Sequence, residues 1–397
     1  MRLSDTNALV LVTLLGLIGN STAIVQPLLV GLMVDSYGLT PSAAGMVSAV
    51  EMTAFGGAAL LIAAVVSRFD RRGLCACALG MAAAGNLAAS FAGDTTVLVL
   101  SRVVAGAGAG ASLAISGAII AGHREPDRVY SITTMGMLAY AGVFLTTVPN
   151  LMQAWGSAAA FLVMAAIAAL TLPFAFAAPR PPARTTDAAA GAGRRPPLRD
   201  AAPLLAAALV LYAGHGAVWT YEERMGVAIG MSVAEVGGTL GLASIAGFIG
   251  AAIAAILGSR ISRTASQVIA LGLSATAAVI IVLARTPELY TAGACLIALA
   301  WFFGLPYLNG VAAGLDPEGR TAALTAAMLN FGTALGPFLA SLILVANGYL
   351  WVGVLAATMY LACLGLIVPL ARRLDRTRGR HGLASELRPG ASSAAGS

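Results

Sequence analysis

The chain has 397 residues, of which 59% are hydrophobic and 10% charged, with a mean hydropathy of +0.87 and a formal net charge of +6. Soluble domains carry about 25% charged residues, so this composition excludes a single water-soluble core and identifies an integral membrane protein. The positive balance is then no sign of a nucleic-acid partner; its placement sets topology instead.

A membrane-crossing helix needs about 20 apolar residues. Runs of that kind follow one another over 7–33, 41–67, 74–92, 96–121, 130–153, 156–178, 201–225, 233–258, 267–283, 289–313, 321–346 and 350–370. They are continuous rather than alternating, which predicts helices and not barrel strands. The first run is too long for the apolar region of a signal peptide, and no clear cleavage site follows it. Cys75, Cys77, Cys295 and Cys363 all fall inside apolar runs without metal-ligand spacing, so they read as small core residues. No metal or other cofactor is expected.

Charge placement orients the spans. There is no lysine. Arg68, Arg71 and Arg72 follow the second span, Arg124 and Arg128 the fourth, and Arg180, Arg184, Arg194, Arg195 and Arg199 the sixth. Arg260 and Arg263 follow the eighth, Arg320 the tenth, and Arg372, Arg373, Arg376, Arg378 and Arg380 the last. All lie on one side, whereas the opposite loops carry mainly Asp35, Asp94, Arg285 and Glu288. The positive-inside rule places both termini in the cytoplasm, as expected for a multi-pass protein of the cell inner (plasma) membrane. The composition divides the chain into a bundle over 1–178, a Pro/Arg/Ala/Gly-rich cytoplasmic linker over 179–200, a second bundle over 201–371 and a disordered tail over 372–397.

An internal repeat supports that division. Gly38, Thr40, Gly45, Ser67, Arg68 and Arg71 recur as Gly230, Ser232, Gly237, Ser259, Arg260 and Arg263, a constant offset of 192 residues. Arg128 matches Arg320 in the same register, and Glu125-Pro126-Asp127 resembles Asp316-Pro317-Glu318. Six spans separate the copies, an even number. The two halves therefore share one orientation, as in parallel-repeat transporters.

With these residues in hand the chain resembles the major facilitator superfamily. Ser67-Arg68-Phe69-Asp70-Arg71-Arg72 looks like the family's loop motif between spans two and three, with Ser67 in place of the usual Asp and Asp70 in place of the usual Gly. Arg102, followed by Gly106, Gly108 and Gly110, is similar to the family's span-four pattern. The Gly-Pro-Gly-Gly cluster of drug antiporters is missing from span five, where only Gly142 and Pro149 hint at it. The resemblance implies an all-α fold of two six-helix bundles around a central cavity, lined by spans one, four, seven and ten, with the bundles rocking to open either side. It also implies a gating role for Arg68, Asp70 and Arg71 and for their counterparts Arg260 and Arg263.

Ionisable residues inside the spans are the candidates for chemistry. Glu51 lies about 15 Å along its helix, where an acid must be paired, wet or protonated. Its counterpart in the second half is Ala243. Arg102 is the natural partner, and a Glu–Arg pair that breaks on protonation makes a coupling switch; the alternative is an ion pair that is purely structural. Span seven holds Tyr212, His215, Trp219, Glu222 and Glu223, mostly on one face. Histidine titrates in a range useful for proton transfer. Glu51, Arg102, His215 and Glu222 are therefore the proton-coupling candidates, while either acid of span seven can instead form a helix-end pair with Arg224. The solute-binding candidates are Asn20, Gln26, Tyr140, Tyr212, Trp219, Glu223, Trp301, Asn309 and Asn330, a weakly polar and partly aromatic set suited to an amphipathic organic molecule. Gly106 and Gly110 read as helix packing.

These features point to a secondary transporter acting as a monomer on a small organic solute and protons, and the resemblance to bacterial efflux members of the superfamily slightly favours export. The alternative is uptake of an organic anion through Arg102 and His215. A membrane-embedded enzyme would need a polar catalytic set, and His123, His215 and His381 are scattered. No GxxxxGK[ST] loop for an ATP-driven pump is present.

Overall fold

The computed structural model describes residues 3–123, 125–179, 198–315 and 320–386. All regular structure in them is helical: α1 (Leu3–Tyr37), α2 (Pro41–Val65), α3 (Arg71–Ser90), α4 (Thr95–Ala121), α5 (Pro126–Trp155), α6 (Ala159–Thr171, continued by a 3-10 turn), α7 (Leu198–Ala228), α8 (Val233–Leu257), α9 (Arg263–Leu283), α10 (Pro287–Leu315), α11 (Arg320–Asn347) and α12 (Tyr349–Glu386). Twelve of them are long and apolar enough to cross a membrane. The protein is thus a multi-pass membrane protein with its described ends on one side, termed here the terminal end; the other side is the distal end.

The repeat is visible in the helix limits. Helices α2 and α8 run over 41–65 and 233–257, α3 and α9 begin at 71 and 263, and α4 and α10 begin at 95 and 287, all 192 residues apart. Local chemistry sets these starts. The Thr40 hydroxyl accepts the Ala43 N–H at 3.2 Å, and its counterpart Ser232 accepts that of Glu235 at 3.2 Å. Asp70 and Ser262, again equivalent, cap α3 and α9. Distal turns close with glycine at positive φ: Gly38 (+64°) and Gly230 (+94°), then Gly156 (+88°) and Gly348 (+72°). A β-carbon is strained there. The second of these pairs keeps the 192-residue offset and escaped the sequence reading.

Two chain segments differ from expectation. Of the anticipated linker, 180–197 lies outside the described residues and the rest of its end is already helix α7. The anticipated tail is helical as far as Glu386, because Leu374 packs on the core of the second half and Asp375 bonds to the start of α9. Residues 387–397 lie outside the described residues, as do Arg124 and the 316–319 stretch of the repeat.

Within the first half, α2 and α4 approach closely. A methyl group at Gly106 would sit 2.6 Å from the Glu51 carbonyl, and one at Gly110 would collide with that of Phe55, which fits the packing role expected of both glycines. The halves meet through α2–α11, α5–α8 and α1–α7. The contacts that hold this junction cluster toward the distal end. Ser42 Oγ donates to Ser341 O at 2.8 Å, and Trp219 Nε1 donates to Ala23 O at 2.7 Å. The Tyr221 hydroxyl fills the notch at Gly45, and Gly237 receives Leu145 and Pro149. Gly31 and Glu223, which are equivalent positions, touch each other. Their contact therefore lies on the axis relating the halves.

Candidate functional site

The first polar cluster is enclosed in the amino-terminal half. Arg102 on α4 donates from Nε to Glu51 Oε2 at 3.1 Å, from Nη2 to Glu51 Oε1, and from Nη1 to Asn86 Oδ1 at 2.8 Å. Asn86 of α3 in turn donates to Ala82 O at 2.8 Å. The guanidinium lies over the Phe161 ring, 5.1 Å from its centroid. Glu51 and Arg102 are each 1% exposed, so no solute reaches this arginine without parting helices. The pairing proposed from sequence exists, with Asn86 as an additional partner. In the second half the three equivalent positions are Ala243, Ala278 and Ala294, all buried. The cluster thus ties α2, α3 and α4 together in one half only.

The second cluster lies in the other half. The His215 ring stacks on Trp301 with centroids 3.7 Å apart, Tyr212 meets Trp301 edge-on at 4.7 Å, and Trp219 lies parallel to His215 at 6.2 Å. His215 Nδ1 is 3.3 Å from the Tyr360 hydroxyl of α12. Two turns further along α7, Glu222 is 1% exposed and neither carboxylate oxygen has a partner. Tyr290 and Cys295 of α10 and Tyr360 are its electrostatic neighbours, and Tyr290 Oη donates to the Glu222 carbonyl at 2.7 Å. An unpartnered ionised carboxylate in apolar surroundings is very costly, which sets Glu222 apart from the other acids in the spans.

Glu223, a solute-binding candidate from sequence, is instead engaged by an arginine in this conformation. It is bound by Arg224 through Nε at 2.5 Å and Nη2 at 2.6 Å. Arg224 also grips Asp35 at the end of α1 through Nη1 at 2.6 Å and Nη2 at 2.8 Å. The pair with Arg224 is buried on the axis rather than facing water, because Gly31 leaves room for the carboxylate. This cluster closes the distal junction between the halves. Asp35, read from sequence only as a loop charge, is the residue that completes it.

The remaining candidates are dispersed. Asn20 donates to Gly16 O of its own helix at 2.8 Å. Gln26 is 2% exposed and its Nε2 is unpartnered. Tyr140 packs on Phe144 of its own helix. Asn309 is exposed toward the terminal end, away from the aromatic group. Asn330 abuts Gly56 across the junction. At the terminal end Arg68 is exposed, Asp70 caps α3 and Arg71 is buried. Arg260, in the 3-10 turn after α8, donates to Ile256 O of that helix at 3.2 Å, and the Arg263 amide bonds Asp375 at 3.3 Å. Among the described residues, the hydrogen bonds of these loop residues all stay within one half, so none joins the two bundles in this conformation.

The fold matches known transporters. The structure of a D-xylose–proton symporter superposes with a TM-score of 0.71 at 15% identity, covering 90% of this chain and 97% of that one. Peptide transporter POT structures, in complex with alafosfalin and with sulfate, give TM-scores of 0.72 and 0.73 at 16% and 15% identity, each covering 93% of this chain and 95% of theirs. Comparison with curated proteins returns no sequence match. The sequence profile of the Major Facilitator Superfamily matches residues 10–326, and with its paired bundles and distal junction the chain belongs to that family of secondary transporters.

Proposed function

We propose that the protein is a proton-coupled transporter of a small amphipathic organic solute, working by alternating access, with Glu222 carrying the proton. The observation behind this reading is the Glu222 carboxylate, buried without a hydrogen-bond partner near the distal end of α7, two turns from the stacked His215, Trp301 and Tyr212. Glu51 and Glu223 are each held by an arginine and are positioned to stabilise helices instead. Proton coupling is also the stated activity of one protein of similar fold, the xylose symporter. The aromatic set suits a planar or amphipathic solute. Uptake of an organic anion is the weaker reading, because Arg102 is already bound to Glu51 and Asn86. Arginine placement supports cytoplasmic termini in the inner membrane, so the junction at the distal end closes the outer side; export is the direction we assign.

The test is made in proteoliposomes. Solutes that raise the unfolding temperature are identified first, then added under an imposed pH gradient. Solute-dependent proton movement, with accumulation against the solute gradient, is expected. Solute flux that ignores the pH gradient overturns proton coupling, and everted vesicles that fail to accumulate solute overturn export.

Alternating access requires the distal junction to open. Asp35→Asn removes the tie between halves and leaves the Arg224–Glu223 pair in place. The Asp35 side chain is 52% exposed, so the tie contributes about 1 kcal/mol, a roughly fivefold shift toward the distally open state. Spin labels at the exposed equivalent positions Gly93 and Arg285 report this as a fivefold larger long-distance population, whereas an unchanged distance distribution shows that the tie does not hold the junction.

A further inference from the structure

Arg71 is the first residue of α3 and is 7% exposed, yet its Nε has no hydrogen-bond partner and, among the described residues, its side chain enters no ion pair. It lies on the buried stripe of α3 with Cys75, Ala78 and Leu79. Helix side chains lean toward the N-terminus, so the guanidinium sits over the first turn. The adjacent Asp70 carboxylate makes no ion pair with it and caps the helix instead, its Oδ2 accepting the Gly73 N–H at 3.2 Å. A desolvated guanidinium nitrogen without a hydrogen bond is costly, and the helix N-terminus beneath it adds further positive potential. Arg68 and Arg72 are exposed beside it, with Arg72 Nε 3.5 Å from Ala178 O.

The other half of the molecule shows what such a place takes. At the start of α9, the Asp375 carboxylate accepts the Arg263 N–H at 3.3 Å, the Thr264 N–H at 3.1 Å and the Thr264 hydroxyl at 2.7 Å. The same site in the first half, 192 residues earlier, has Arg71 and Arg72 at the helix start, while the counterpart of Asp375 is Ala183. At the position equivalent to Asp375 the first half carries no carboxylate. The surroundings are also those of a membrane edge, since Phe69 is 58% exposed and Phe176, in the 3-10 turn packed on α3, is 72% exposed.

The geometry points to a phosphate-binding site at the start of α3, in which Arg71, flanked by Arg72 and Arg68, receives the phosphate of an anionic phospholipid headgroup whose acyl chains lie along Phe69 and Phe176. Basic pockets between spans on the arginine-rich side bind such headgroups, and a guanidinium matches phosphate bidentately. The site would fix a boundary lipid on the amino-terminal half alone.

Delipidated protein in detergent is titrated with phosphatidylglycerol, phosphatidylcholine or inorganic phosphate, and bound lipid is counted by native mass spectrometry. Wild type is expected to retain one phosphatidylglycerol in preference to phosphatidylcholine. Arg71→Gln is expected to weaken that binding about tenfold, as for loss of a charge-assisted hydrogen bond. The exposed Arg260→Gln is expected to leave it unchanged. Should Arg71→Gln not fold, the wild-type unfolding temperature decides: it rises with phosphatidylglycerol and not with phosphatidylcholine. Equal binding of both lipids by wild type, or undiminished phosphatidylglycerol binding by folded Arg71→Gln, overturns the site. Inorganic phosphate giving the full thermal shift, with no further rise from phosphatidylglycerol, supports the oxyanion site and assigns it to a free anion.

Discussion

Replacing Glu222 with glutamine is expected to abolish proton-driven accumulation of solute while leaving solute exchange across the membrane intact. The amide has nearly the shape of the protonated acid and cannot release a proton, so it fixes the site in its neutral form. Because the native carboxylate makes no hydrogen bond or ion pair, little stability is at stake; the change should lie within about 1 kcal/mol, as for substitutions that break no network. Any loss of pumping is then a loss of coupling and not of folding. Proteoliposomes separate the two activities. Counterflow of labelled solute, which needs no net proton movement, is expected at the wild-type rate. Accumulation driven by a pH gradient should fall to that of protein-free liposomes. Persistent pH-driven accumulation in Glu222→Gln removes Glu222 from the coupling step. Loss of both activities in a folded variant makes it a solute-binding residue instead.

The surroundings of Glu222 explain why one acid of an adjacent pair is assigned this role. Consecutive helical residues point about 100° apart. Glu223 faces Gly31 and the axis between the halves, where Arg224 and Asp35 meet it. Glu222 turns into its own half, toward Tyr290, Cys295 and Tyr360. His215 and Glu222 are two turns apart, about 10 Å, and Tyr360 neighbours both. A proton carried by Glu222 is thereby placed on the same helix as the aromatic group that would hold the solute, so one movement of α7 affects both.

Features governed by local chemistry were legible in the sequence. Apolar run lengths located the helices, and Thr40 and Ser232 located two equivalent helix starts, because capping needs only residues three apart. The 192-residue register extended to the helix limits for the same reason. Glu51 and Arg102 could be paired by depth, since both had to reach the outer part of neighbouring spans. Contacts between distant spans were not legible. Asn86 is one polar residue in a run of small ones, and nothing local marks it as the partner of Arg102. The bond from Arg224 to Asp35 depends on how α1 crosses α7, and the difference between Glu222 and Glu223 depends on which helix lies opposite each. Tyr360 sits among apolar residues of α12 without any sequence signal of its nearness to His215. Asp375 was assigned to a tail because its charge and flanking arginines look solvated; its two backbone partners belong to a helix more than a hundred residues earlier.

The Glu51–Arg102 pair carries the other large expected effect, and here the loss is structural. Arg102→Met leaves an uncompensated carboxylate at a site 1% exposed and strips Asn86 Oδ1 of its donor. Breaking a buried pair from one side costs about 3–5 kcal/mol, which should appear as a large fall in the unfolding midpoint in detergent. Removing both charges together is a different change. The second half of the molecule packs the equivalent positions as Ala243, Ala278 and Ala294 without any charge, so the helix arrangement does not itself require an ion pair. Glu51→Leu combined with Arg102→Met should therefore be more stable than Arg102→Met alone. The double variant also decides between the two readings of Glu51. If the pair only ties α2 to α4, the double variant keeps pH-driven accumulation, and the coupling proton stays with Glu222. A folded double variant that exchanges solute but no longer accumulates it would return Glu51 to the coupling mechanism. A double variant no more stable than the single one would show that the cost of losing Arg102 comes from its packing against Phe161 and Asn86 and not from the stranded charge.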